Sequence, residues 1–255
     1  MDENKIDLQG LAAEAVSLLR LRRIPVGMKF FDTEEEALQI PKLRMARRKH
    51  TVCQLIAQSV QFGWTVGMRR GMTSIRYCGT INGMFEKNEL FCSGGMLNGV
   101  WHENEEAARA HNQGLWCMDQ KQVIAVSPLA SGRLEPDVVL LYGTPGQMFM
   151  LLSGLINKEY RRLSFPFGGE STCSVSWVRT ALTGEPGLSV CCFAERKFGG
   201  VEDGEMLATL TPADFQKAVE GLKTLHKAGL RYPIHDYSVL CDAAEGMPQS
   251  YLDDI

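Results

Sequence analysis

The chemistry open to this chain is concentrated in its cysteines. There are eight in 255 residues, and four sit in settings that suit a metal. Cys53 lies two residues after Thr51, and Cys173 two residues after Ser171. Each time, a hydroxyl residue of capping type precedes an apolar-periodic segment, so the spacing predicts a sulfur in the first turn of a helix. Free N–H groups and the positive end of the helix dipole favour a thiolate there, the form that binds metals and attacks electrophiles. Cys92 precedes Ser93-Gly94-Gly95, a turn whose amides can approach sulfur closely. Cys192 closes a predicted strand shortly before Ala194-Glu195-Arg196.

Cys53, Cys92, Cys173 and Cys192 are far apart along the chain and can meet only through the fold. Four thiolates suit a [4Fe-4S] cluster or, alternatively, zinc. The competing reading is the ordinary fate of a cysteine, a small buried hydrophobe. Cys78, in a predicted strand near Gly79, is the substitute fourth ligand. Cys117, Cys191 and Cys241 are weaker candidates, with Cys191 expected on the opposite strand face from Cys192.

Among the charged residues, Arg48 and Arg196 are the candidates for substrate or cofactor electrostatics. Arg44, Arg47, Arg48 and Lys49 precede Cys53, where they either dock an acidic group or form a solvated basic loop. Arg196 can also pair with Asp203 or Glu205. Met68, Met72, Met84 and Met96, with Trp64, Phe85 and Trp101, either line an apolar pocket or pack in the core. The histidines are scattered and read as surface or internally satisfied. Phosphate-loop, dinucleotide-binding, nucleophile-elbow and H-E-x-x-H patterns are absent, as is C-x-x-C.

These side chains need a scaffold, and the pattern implies an α+β protein. A mixed or antiparallel sheet with flanking helices is expected, folded as a single domain over residues 1–255. Helices are predicted at Ile6–Leu21, Glu34–Leu38, Cys53–Phe62 and Glu103–Leu115, and from Cys173 to Leu182. Strands are predicted at Pro25–Phe31, Thr73–Gly79 and Glu89–Cys92. An internal repeat aligns Gln122–Leu155 with Ser189–Leu222. Val123-Ile-Ala-Val matches Val190-Cys-Cys-Phe, Thr144-Pro145 matches Thr211-Pro212, and Gly154-Leu155 matches Gly221-Leu222. With the helix ahead of each copy, the repeat spans roughly 103–155 and 171–222 as a duplicated helix–hairpin–helix unit. Residues 233–255 read as a C-terminal tail.

Apolar residues make up 45% and the formal net charge is −3, which argues against disorder and against broad binding of nucleic acid. The start is acidic and polar, and no apolar run is long enough to span a bilayer. A cytoplasmic protein with reduced thiols is expected.

Several blocks together resemble domain-of-unknown-function family 169. They are Pro25-Val-Gly-Met-Lys-Phe, the helix opened by Cys53-Gln54, Cys92-x-Gly-Gly, Pro136-Asp-Val-Val-Leu with a following Gly-x-Pro, and Cys192 with Arg196 four residues on, ahead of Asp203 and Glu205. The likeness covers roughly residues 10–225. It implies a shared fold and cysteines at the places of Cys53, Cys92, Cys173 and Cys192. The chain departs from the family pattern after the last cysteine, where Glu195 adds a carboxylate beside the proposed site.

The leading expectation is an iron–sulfur protein of anaerobic metabolism, with redox or Lewis-acid chemistry on a small aromatic or carboxylated substrate. Its partners would be that substrate or an electron-transfer protein, with homo-oligomerisation left open. A non-enzymatic binding protein with structural zinc or no metal is the alternative. A cysteine nucleophile at Cys53 or Cys173 is a third reading.

Overall fold

The computed structural model of the protein describes residues 6–235 and 247–251. In chain order the elements are α1 (Leu8–Leu19), β1 (Val26–Phe31), α2 (Glu34–Leu38), β2 (Arg44–Met45), α3 (Val52–Phe62), β3 (Val66–Arg69), α4 (Arg76–Ile81), α5 (Glu89–Cys92) and α6 (Glu105–Gln113). Then come β4 (Val123–Pro128), β5 (Val138–Gly143), α7 (Pro145–Leu155), α8 (Arg179–Thr183), β6 (Gly187–Ser189), α9 (Phe193–Gly199), β7 (Met206–Leu210) and α10 (Pro212–Lys227). This is the expected α+β class. Most of the expected tail, with Cys241, lies outside the described residues.

The strands form one mixed seven-stranded sheet in the order β2-β3-β4-β1-β5-β7-β6. Only β2 and β3 run parallel; the other neighbours are antiparallel. The central strands are buried on both faces, so β5 reads Val-Val-Leu-Leu-Tyr-Gly without polar alternation. Val139 and Leu141 pack under α1, α7 and α10. Val138, Leu140 and Tyr142 face the other way, with Met28 of β1 and Ile124 and Val126 of β4, toward the layer containing α3 and α4. The site lies in that second layer.

Capping explains several boundaries. Thr51 opens α3 and Thr144 opens α7, each in a capping box with a glutamine three residues on, and Thr211 caps α10. The helices behind the two Thr-Pro starts pack on each other. They cross where the Gly154 carbonyl faces Gly221, so closely that a Cβ on Gly221 would collide with it. These are the two glycines that the repeat aligns.

Three local expectations fail. Thr73–Gly79 contains no strand; α4 starts within it, and its residues Tyr77–Ile81 are all buried. Tertiary packing overrides the strand propensity of this apolar stretch. Glu89–Cys92 is a helical turn because the Asn88 side chain accepts the Phe91 N–H at 3.0 Å. The strand expected at Val190–Phe193 ends at Ser189, and Cys192 instead begins α9. The first expected hairpin is also split, since β1 lies between β4 and β5, whereas β6 and β7 pair directly.

Candidate functional site

Four buried thiols converge on the α3–α4 side of the sheet. Cys53 comes from the first turn of α3, Cys78 from α4, Cys173 from the helical turn ahead of a segment kinked at Ser176, and Cys192 from the start of α9. The thiols of Cys78 and Cys173 are hydrogen-bonded. Every pair among the four is close enough for charge on one sulfur to raise the pKa of the other.

The fold clamps these segments together. Trp177, fully buried, donates its indole N–H to Asn82 Oδ1 at 2.7 Å, and Asn82 Nδ2 donates to the Cys78 carbonyl at 2.8 Å. On the other side, the Tyr77 and Ser171 hydroxyls lie 2.7 Å apart. These two ties bracket the Cys78–Cys173 contact. Helix α9 meets α3 at Gly199, where a Cβ would rest 3.5 Å from Cys53 Cβ. The helical run behind Cys173 is kinked at Ser176, whose φ of −105° and ψ of −106° are not helical.

A buried carboxylate organises the Cys192 side. Glu195 Oε2 accepts the Cys192 N–H at 3.1 Å, and Oε1 accepts the Tyr142 hydroxyl at 3.2 Å. The thiols of Cys191 and Cys192 also bond to this carboxylate. Burial pushes the Glu195 pKa up to about 6, against these hydrogen bonds. A cavity of about 10 Å³, on the order of one water, adjoins it between Arg23, Cys53, Tyr142 and Gly199.

Burial also raises the pKa of Cys53, Cys191 and Cys192. For Cys173, the Cys78 hydrogen bond acts first and burial second, in the same direction. The expectation of thiolates favoured by helix starts is therefore reversed for the metal-free protein. Desolvation of a fully enclosed sulfur outweighs the helix-end field. Ser171 does not cap the Cys173 helix either, because its hydroxyl faces Tyr77 and His111.

That hydroxyl belongs to a directed chain of hydrogen bonds. Asn112 Nδ2 donates to the Phe91 carbonyl, so its Oδ1 receives the Tyr77 O–H at 2.8 Å. With that proton committed, Tyr77 accepts from Ser171, and Ser171 accepts from His111 Nε2 at 2.7 Å. Neutral His111 then has a bare Nδ1, which accepts from His102 Nε2 at 2.9 Å. Burial and the His102 charge lower the His111 pKa. The chain leads from a partly exposed histidine to a phenol beside Cys78 and Cys173.

The predicted residues fare unevenly. Cys53, Cys173 and Cys192 come together. Cys92 does not: it is exposed, and its neighbour is Cys117. Gly94, at φ +81°, is pressed onto the backbone of Ala108 and Arg109 in α6, so the glycine turn serves helix packing and leaves Cys92 outside. Cys78 occupies the fourth place. Cys191 is not on an opposite strand face; both it and Cys192 contact Glu195. Arg196 ties the turns around α9, donating to the carbonyls of Cys191 at 3.1 Å and Glu202 at 2.9 Å and pairing with Asp203 at 3.3 Å. Arg48 is exposed, and Arg44 and Arg47 line a groove whose walls do not include Cys53. Met68 and Met84 are core residues. Tyr142 and the His102–Tyr77 chain escaped sequence reasoning. Cys192-x-x-Glu195 had a signal, the spacing of a capping box.

Among the described residues, no three or more His, Cys, Asp or Glu side chains are grouped as they stand to hold a metal ion. Four thiols are nevertheless the donor set of a thiolate centre. None of the described helices is long and apolar enough to cross a membrane.

A family model described as uncharacterised ArCR matches residues 16–221. The chain belongs to domain-of-unknown-function family 169. The matched span contains the four converging cysteines and Glu195 and ends before Cys241. No curated protein and no solved structure matches this member of family 169.

Proposed function

We propose that the protein is a thiolate-metal protein, and an iron–sulfur protein in the first instance, with Cys53, Cys78, Cys173 and Cys192 as ligands. The supporting observation is the convergence of four buried thiols from four separate chain segments.

When bound, an iron–sulfur cluster supplies an electron or a Lewis-acid position. The chain's own residues do the rest. The sheet face and α3 exclude water, and the Trp177–Asn82 and Tyr77–Ser171 ties hold two ligand segments in place. Glu195 and Tyr142 orient Cys192. The raised pKa of Cys53, Cys173 and Cys192 means that metal loading would release protons. The exposed rings of Trp101 and Phe193, 6.0 Å apart, lie next in sequence to His102 and Cys192. They offer a small aromatic substrate or an electron-transfer partner a surface to meet.

The test is anaerobic reconstitution with iron and sulfide, followed by metal and sulfide analysis and visible absorption. Wild type and Cys92→Ser should load alike, and serine at Cys53, Cys78, Cys173 or Cys192 should abolish or reduce loading. A wild type that takes up neither iron nor sulfide would remove the reading. Stoichiometric zinc without iron would replace it with the structural-zinc alternative.

A further inference from the structure

We propose that the groove beside edge strand β2 binds a small organic polyphosphate of nucleoside diphosphate or triphosphate size, with Arg44 and Arg47 as its phosphate contacts. The proposal is independent of the thiolate centre, because the groove walls contain none of the four cysteines. The groove has a volume of about 900 Å³, room for a ligand of that size. Three guanidinium side chains stand in its walls, those of Arg44, Arg47 and Arg69.

Charge decides what can enter. Arg69 is already matched, since its Nε and Nη2 reach Glu34 Oε1 at 2.8 and 2.6 Å. Its neighbour Arg70 pairs with Glu86 at 3.3 Å. Arg44 and Arg47 have no ion-pair partner among the described residues, and neither do Arg48 and Lys49. Among the described residues no Asp or Glu lines the groove. A chain of formal net charge −3 thus gathers four unmatched cations within residues 44–49. A concave surface walled by one sign of charge focuses its field on whatever fills it, and the occupant it selects is an anion.

Geometry narrows the anion. The Arg44 guanidinium lies over the Trp64 ring, 4.6 Å from its centroid. Stacking holds the planar group by its face and leaves its N–H edges to grip phosphate oxygens in pairs. Strand β2 adds a backbone donor. The Arg44 and Ala46 N–H groups bond to the Thr65 and Gly67 carbonyls at 2.9 and 2.7 Å, so the N–H of Met45 between them turns out from the sheet edge. The rest of the wall is apolar. Leu43 and Met45 lie across Gly67, where a Cβ would come 2.7 Å from the Met45 sulfur, and Met72 joins them. Guanidinium groups beside an apolar surface suit a phosphate chain that carries a ring better than bare phosphate. A peptide strand is disfavoured, because an edge strand of two residues is too short to template another.

The experiment is isothermal titration calorimetry of the full-length protein without divalent metal, with ATP, pyrophosphate, orthophosphate and a polyglutamate peptide as titrants. ATP should bind most tightly, and rising salt should weaken it. Arg44→Gln and Arg47→Gln should each lower ATP affinity about tenfold. Arg44→Lys keeps the charge but loses the paired donors, and should fall between wild type and Arg44→Gln. Arg162→Gln changes an exposed arginine of a different groove and should bind ATP like wild type. A wild type that does not bind ATP, or ATP binding that survives both glutamine changes, overturns the proposal. Pyrophosphate bound as tightly as ATP overturns the organic part of the assignment, and tighter binding of polyglutamate overturns a phosphate ligand altogether.

Discussion

Cys192 and Glu195 grip each other across the first turn of α9: the Cys192 N–H reaches Glu195 Oε2 at 3.1 Å, and the Cys192 sulfur accepts the Glu195 N–H. The arrangement is a capping box with a thiol in place of the usual hydroxyl. Because the carboxylate also holds Tyr142 and the Cys191 thiol, one fully buried side chain orients a whole corner of the site. Glu195→Ala leaves the Cys192 N–H and the Tyr142 O–H buried without acceptors. We expect a loss of about 3 kcal/mol in urea unfolding, and a loss of only about 1 kcal/mol for Glu195→Gln, which preserves the shape and one acceptor. Equal effects of the two substitutions would contradict this role.

Burial and a raised pKa predict low reactivity for Cys53, Cys173 and Cys192. Alkylation under native conditions, followed by mass spectrometry, should label Cys92 first. Cys53, Cys173 and Cys192 should react at least on the order of tenfold more slowly until denaturant is added. Early labelling of Cys53 would argue instead for a reactive nucleophile at the start of α3.

Asn82 joins the Trp177 indole to the backbone of Cys78 and is itself fully buried. Asn82→Ala strands the indole N–H and opens a small void, so stability should fall by about 2–3 kcal/mol. The same variant should load less iron, since it loosens Cys78 from the Cys173 segment. Wild-type loading in a destabilised variant would show that the tie serves the fold alone.

The direction of the hydrogen-bond chain requires His111 to keep a bare Nδ1, and burial, with the His102 charge beside it, lowers its pKa. As pH falls below about 6.5, the unfolded chain takes up a proton that the folded one resists. Wild-type stability should therefore drop with decreasing pH through this window, and His111→Gln should show a shallower drop. Urea midpoints between about pH 5 and 8 provide the measurement. Parallel profiles would mean that His111 does not titrate differently in the two states.

Thr51 caps α3 and so sets the position of Cys53. Thr51→Ala removes the side-chain half of the capping box and should cost about 1 kcal/mol. Thr51→Ser should restore most of it. A null effect of the alanine change would show that packing alone holds the start of α3.

The amino-acid sequence by itself determined whatever depends on near neighbours. Thr51, Thr144 and Thr211 open their helices because a cap and its N–H groups lie within one turn, and Cys53 is a first-turn cysteine for the same reason. The α+β class was legible from periodicity, and the family from the order of its blocks. That Cys78 and not Cys92 joins the buried group of thiols was decided by tertiary structure. Spacing could show a cysteine before two glycines, but not that Gly94 would be spent against α6 and turn that cysteine outward. The state of the thiols was decided in the same way. The helix-start field is local and readable, whereas the desolvation that overrules it depends on how much protein from distant segments closes over each sulfur. The Tyr77–Ser171–His111 chain and the pairing of Glu195 with Tyr142 join residues with no short-range relation, and only packing of the layer over the sheet brings them within hydrogen-bonding distance.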